Sequence, residues 1–255
     1  MSPSMPEPHR ASAAPSAPLQ AARRLFGPWR CADLLLRSDG LSDGERHWPG
    51  FDAWCQAHAL RRCRLWLSSS LLHELVCDAD LPLRNDAAAL AWAQAQLRHY
   101  HGEAAAAWAL AAWRHGARRG VSVLQGCALT PLQGHARQHR VRLAAVRPWW
   151  SLVLARALRR HAVLRGPQAR LLVVEGAGVA MLDLCRGHLG GLQLRRLDEA
   201  TPRALAEWHA EQEGAVGPVI AVGYGLAPGP VPGMLVPEAL DGPMPAPGWL
   251  GRAAS

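Results

Sequence analysis

The sequence predicts an α/β chain in which mixed sheets pack against helices. Three observations carry this. Residues 170–197, RLLVVEGAGVAMLDLCRGHLGGLQLRRL, read as three strands joined by two tight turns. A helix signal follows at once, with Thr201 placed to cap it and Pro202 at its first position. Strand-like and helix-like runs precede both, and 255 residues at 49% hydrophobic content suffice for one large domain or two small lobes.

Within the meander, residues 171–174 form a short apolar run suited to a strand buried on both faces. Gly176-Ala177-Gly178 breaks it, because glycine tolerates the positive φ of hairpin turns. Residues 179–185 form the second run, closed by Arg186-Gly187-His188. In the third, Leu192, Leu194 and Arg196 alternate with Gln193, Arg195 and Leu197, one face packed and one wet.

Taken from the start, residues 1–24 are rich in Pro, Ala and Ser and are expected to be disordered. Leu25-Phe26-Gly27-Pro28-Trp29 is placed to dock back on the domain. Residues 31–37 form the first strand, ending at Ser38-Asp39-Gly40, with a short partner at 46–48. A short helix over 51–59 puts Phe51, Trp54 and Cys55 on one face. Residues 63–67 and 71–77 read as a hairpin turned by Ser68-Ser69-Ser70. Asn85 or Asp86 caps a helix over 87–101, where Leu90, Ala93 and Leu97 keep the 3.6 period and Gly102 ends it. Over 104–113 helix and strand cues compete; pairing with 121–126 favours strand. A short helix over 130–138, a strand over 141–146 and a helix over 149–161 lead into the meander. The Thr201 helix reaches 213, and residues 219–222 form a last strand. From Gly225 the chain carries seven prolines, a linker-like segment in which Met234-Leu235-Val236 and Trp249-Leu250 are the apolar anchor points.

The net charge is +8 and the pI about 10.1, a balance that favours anionic partners. The chain contains no lysine, so every fixed cation is arginine. With the alanine runs, this reads in part as composition bias rather than function. It also excludes a P-loop lysine, a lysine Schiff base and a kinase-type strand lysine. Six scattered cysteines, with no C-x-x-C, suit small buried hydrophobes in a reducing compartment. With no signal-peptide pattern and no apolar stretch of membrane-spanning length, the expectation is a soluble bacterial cytoplasmic protein.

Chemistry-bearing motifs are sparse. Glu175-Gly176-Ala177-Gly178 reads as a hairpin turn or as an N–H cradle for a phosphate. Ser68-Ser69-Ser70 lacks the G-x-S-x-G frame of an activated nucleophile. His135 and His139 share a helix face but lack the acid of H-E-x-x-H and a third ligand. His99-Tyr100-His101 suits a helix C-terminus. The 11 tryptophans are dispersed, as core and lobe-interface residues are. No catalytic residue and no metal ligand is assigned.

The order of elements, with CRLWLSSSLLHELVC, the helix ending RHYHGE, VRLAAVRPWWSLVLARALRR and the meander, resembles two degenerate ribonuclease-H-like lobes. That is the actin-like ATPase architecture, and specifically it is similar to the PilM and GspL group of type IV pilus and type II secretion platforms. The resemblance implies a first lobe over 25–147, a truncated second lobe over 148–225 and a tail over 226–255. It places the weak nucleotide-site candidates at Asp39 and Gly40 after the first strand, and at Glu175, Gly176 and Gly178 on the first meander hairpin. Gly223-Tyr224-Gly225 stands where a turn cradling adenosine belongs. Glu175 in place of the usual Asp departs from the pattern.

The resemblance implies a non-enzymatic scaffold that binds the cytoplasmic peptide of a single-pass membrane subunit, with peripheral membrane association and no required cofactor. Two alternatives stay open: an ATPase using Mg·ATP at Asp39 and Glu175, and an arginine-rich nucleic-acid adaptor.

Overall fold

The computed structural model describes residues 31–78, 80–212 and 217–241. The expectations for 1–24, for Leu25 to Trp29 and for Trp249-Leu250 lie outside the described residues.

The first lobe opens with an antiparallel meander. β1 (Cys31–Arg37) pairs with β2 (Gly40–Ser42), and β2 with β3 (His47–Trp48). α1 (Phe51–Ala57) buries Phe51, Trp54 and Cys55, the face its spacing predicts. It returns the chain to β4 (Arg62–Leu67), parallel to β1. β8 (Arg142–Pro148) then adds parallel to β4, giving the order β3-β2-β1-β4-β8. A parallel pair needs a long crossover. Here the crossover is an insertion with its own sheet: β5 (Leu72–Val76), α2 (Asp86–His101), β6 (Ala109–His115), β7 (Arg118–Leu124) and α3 (Leu129–Gln138), the strands ordered β5-β7-β6.

Two local readings change. Residues 63–67 and 71–77 are not a hairpin, because Ser69–Leu71 forms a 3-10 turn that redirects the chain, and β5 takes β7 as its antiparallel partner. Gly102–Ala107 is 3-10 helix rather than strand, so β6 begins only at Ala109, while its hairpin with β7 forms as expected. Asn85 caps α2 through a side-chain bond from the Ala88 N–H at 2.8 Å.

The second lobe is the meander β9 (Ala169–Glu175), β10 (Gly178–Cys185) and β11 (His188–Arg196), then α5 (Pro202–Ala210) and β12 (Val219–Tyr224). Thr201 Oγ1 accepts the Ala204 N–H at 3.1 Å, the predicted cap. β12 lies parallel to β9, and the order β11-β10-β9-β12 repeats the first lobe's plan without its fifth strand. Part of the expected tail is core: Leu226, Val231 and Leu240 are buried with Leu205 and Trp208. Leu235 pairs alongside β12, donating its N–H to Val219 O at 2.9 Å and accepting from Ala221 N at 3.0 Å. The prolines forbid a regular strand there, yet the non-proline residues between them supply the anchors.

α4 (Trp149–Arg160) joins the lobes. It buries Trp149, Trp150, Val153, Leu154 and Ala157 in one cluster with Leu35 and Trp66 of the first lobe and Leu171, Val173, Ala180 and Leu182 of the second.

Candidate functional site

A cleft of about 830 Å³ opens between the lobes. Turns at the ends of β1, β4, β9 and β12 wall it, which brings together Asp39, Ser68 to Ser70, Glu175 to Gly178, Tyr224 and Gly225. The parallel strands of both lobes point their C-terminal ends here, so the turns that follow them converge. Gly176 takes φ +63 in the β9–β10 turn, and its N–H donates to Tyr224 O at 2.8 Å. Gly178 meets Ser69 Oγ across the lobes: a Cβ there would stand 3.2 Å away. Gly40 does not belong to the cleft wall. It is fixed by β2–β3 pairing, where a Cβ would come within 2.6 Å of the Trp48 carbonyl and the His47 ring. Gly223-Tyr224-Gly225 is no open turn either, since Gly223 and Tyr224 complete β12 and the Tyr224 side chain is buried.

Several polar groups of this cleft bond to one another. The Ser69 N–H, at the head of the 3-10 turn, donates to Glu175 Oε1 at 3.0 Å. Burial pushes the Glu175 carboxyl above the ordinary carboxylate range, while the neighbouring Ser68 and Ser69 groups and Arg37 oppose that shift. Glu175 Oε2 and Ser69 Oγ are both buried without a partner in hydrogen-bond geometry. Arg37 grips Asp39 with two bonds, Nε to Oδ1 at 2.8 Å and Nη2 to Oδ2 at 2.7 Å. Its guanidinium also lies 5.7 Å from the centre of the Tyr224 ring. Burial raises the Tyr224 phenol, and the Glu175 charge adds to it.

Mg·ATP needs carboxylates facing the cation and N–H groups facing phosphate. Here Asp39 faces Arg37, and Glu175 fills the Ser69 N–H where an anion would lie. Among the described residues, no group of three His, Cys, Asp or Glu side chains is arranged to hold a metal ion. Asp39 and Glu175 are thus engaged by Arg37 and by the Ser69 N–H.

The histidine motifs have structural surroundings. His135 Nδ1 and His139 Nε2 reach the same Asp52 Oδ1, at 3.0 and 3.2 Å, tying α3 to α1. His101 ends α2 against Trp108, with ring centres 5.0 Å apart. The arginines divide between separate places. Arg62 faces Arg142 across β4 and β8, and Arg64 lies near Arg156 of α4. Arg118 and Arg119 lie on β7, and Arg195 and Arg196 on β11.

The sequence reading passed over a second cavity. A groove of about 480 Å³ runs between β6, an edge strand of the inserted sheet, and β8, an edge strand of the first lobe's sheet. Trp113, Arg147, Pro148, Trp150 and Leu154 are among its walls. Beneath it lies Glu74, whose carboxylate accepts from Trp150 Nε1 at 2.9 Å, Trp113 Nε1 at 3.0 Å and Ser122 Oγ at 2.8 Å. Burial pushes the Glu74 carboxyl up to about 7 despite these three donors. The signal was present in LLHELVC, where strand alternation puts Glu74 on one face with Leu72 and Val76.

No protein-family model matches the chain, and no curated protein matches it in sequence. Among solved structures it is similar to the cytoplasmic domain of EpsL, an inner-membrane component of the type II secretion system of Vibrio cholerae, at 13% identity and TM-score 0.48 over 81% of this chain and 84% of that one. It is similar to a Bacteroides thetaiotaomicron protein with an actin-like ATPase fold and unknown function, at 8% identity and TM-score 0.49 over 76% and 80%. It is also similar to a chain of the PilM–PilN type IV pilus biogenesis complex, at 9% identity and TM-score 0.50 over 74% and 71%. Likeness at such identity concerns the fold alone: two lobes about a central cleft, the fold shared with that chain of the PilM–PilN complex.

Proposed function

We propose that this chain is a non-enzymatic scaffold of a pilus or secretion-type inner-membrane platform, and that it binds an extended cytoplasmic peptide of a membrane subunit. The observation that carries the non-enzymatic half is the Glu175–Ser69 bond, which puts a carboxylate of the protein where a nucleotide would place a phosphate. The fold likeness to a chain of a complex between PilM and PilN supports a protein partner.

The β6–β8 groove is the place proposed for the peptide. Edge strands carry unpaired backbone N–H and C=O groups, so an added strand finds hydrogen bonds ready, and side-chain pockets beside it set specificity. Among the described residues no helix is long and apolar enough to cross a membrane. The proposal accordingly places the chain on the cytoplasmic side, held peripherally through its partner.

The test is calorimetric titration of the full chain with synthetic cytoplasmic peptides from single-pass pilus and secretion subunits, run beside Mg·ATP. Saturable peptide binding weakened at least tenfold by Trp113→Ala, with no nucleotide heat, supports the reading. Micromolar Mg·ATP binding abolished by Glu175→Ala overturns it in favour of an active nucleotide site.

A further inference from the structure

Glu74 connects the two cavities, lining the cleft while its donors line the groove. Its residue forms part of the inter-lobe cleft wall beside Leu72 and His73. Its three donors, Trp113, Trp150 and Ser122, belong to the groove wall. They come from three different elements. Ser122 is the cross-strand partner of Glu74 on β7, Trp113 comes from β6, and Trp150 from the first turn of α4. The two indoles meet edge to face with centres 5.5 Å apart. Trp113 lies across Gly120, where a Cβ would stand 2.2 Å from its ring. The groove's aromatic wall is thus positioned by a single carboxylate.

We propose that Glu74 is a positioning residue that couples the groove to the inter-lobe cleft, so that the state of one is read in the other. The groove's occupant rests on the function proposed above; the coupling itself does not. Ionised, the carboxylate has acceptor capacity for all three donors. Indole N–H groups only donate, so a proton on Glu74 forces one oxygen to become a donor, with the Ser122 hydroxyl as its acceptor within reach. One indole then loses its best bond and the groove wall relaxes. On the cleft side, β5 packs against β11, so a shift of β5 reaches Leu194 and Arg195 on the opposite wall.

His73 projects from the other face of β5 towards His101 of α2, with ring centres 6.0 Å apart. His115 and Arg114 continue β6, Arg118 and Arg119 begin β7, Arg147 ends β8, and Arg195 and Arg196 end β11. The shift of Glu74 has burial as its leading cause, opposed by its three donors, with no charge among its causes.

The experiment is a pH titration of the full chain by NMR between pH 5.5 and 8.5, with no peptide added. The indole N–H signals of Trp113 and Trp150 report the groove, and the amides of Leu194 and Arg195 report the cleft. The expected result is one common midpoint near 7 in both sets. It vanishes in Glu74→Gln and shifts in Ser122→Ala, which removes the hydroxyl that serves the carboxyl in both of its states. Ser122→Ala decides alone if Glu74→Gln does not fold. Unchanged midpoints in the variants, or different midpoints for the two sets, overturn the proposal. Because no peptide enters, a failure to find any peptide partner leaves this result standing.

Discussion

The Ser69 N–H and the Glu175 carboxylate meet at 3.0 Å, across 106 positions of sequence and from opposite lobes. Burial raises this carboxyl, and the Ser69 N–H, the neighbouring serine groups and Arg37 oppose the shift.

Replacing Glu175 therefore separates charge from hydrogen bonding. Glu175→Gln keeps an acceptor for the Ser69 N–H and supplies a donor for Ser69 Oγ, so its stability stays within about 1 kcal/mol of the parent. Glu175→Ala strands a buried N–H and costs about 1–3 kcal/mol. Urea denaturation at pH 7 checks both.

The pH dependence of stability carries a signature of Glu74. Its folded value, about 7, exceeds the ordinary 4.5, so the folded state binds the proton more tightly. The stability this contributes is fully present below the ordinary value and is lost as pH rises to about 7. At about 1.4 kcal/mol per unit the loss totals roughly 3 kcal/mol. Denaturation curves from pH 4.5 to 8 on the parent and Glu74→Gln isolate it as their difference, because the raised Glu175 carboxyl contributes a slope of the same sign to both.

Glycine substitutions divide by position. Gly223 takes φ +139 beside β9, and a Cβ there would stand 1.9 Å from the Val174 carbonyl oxygen. Gly223→Ala is expected to cost more than about 3 kcal/mol or prevent folding, because parallel pairing of β12 must break. Gly134 lies inside α3 with nothing within 4 Å of a Cβ. Gly134→Ala there raises stability by about 0.5–1 kcal/mol. Thermal melts rank the two.

Trp149 is fully buried, yet its indole N–H has no hydrogen-bond partner among the described residues. Trp149→Phe removes that orphan donor with much of the ring retained and is expected within about 1.5 kcal/mol of the parent. Trp149→Ala leaves a cavity between the lobes and costs about 3–5 kcal/mol. Chemical denaturation measures both.

Thiol labelling follows burial. Burial pushes the Cys55 and Cys63 thiols up to about 12, while Cys185 is exposed. With a disulfide-exchange reagent at pH 8, Cys185 reacts first, and Cys55 and Cys63 react only on unfolding. Mass spectrometry of the labelled peptides reads the order.

Much of the fold was legible in the residues. The meander, the Thr201 cap, α2 between Asn85 and Gly102, and the apolar face of α1 follow from local periodicity and capping. The sheet partner of β5 was not legible, because the 3-10 turn at Ser69–Leu71 resembles a hairpin turn in sequence and pairing is settled by distant β7. The proline-rich segment after Gly225 misled for a related reason: proline forbids regular strand, but single leucines between prolines still bury. Of the site residues, Asp39, Glu175, Gly176 and Gly178 do converge on one cleft. Their mutual neutralisation, through Arg37 and Ser69, depends on tertiary distances that no spacing rule contains.

The cluster around Trp149 and Trp150 draws on β1 and β4 before it and β9, β10 and β12 after it. A nascent chain that has released only the first lobe therefore still lacks the strands that cover one face of α4. The tryptophans stay solvated until the second meander emerges, and cutting the chain near residue 148 yields two sticky fragments rather than two working halves. With one apolar cluster common to both, the lobes are expected to unfold in a single transition.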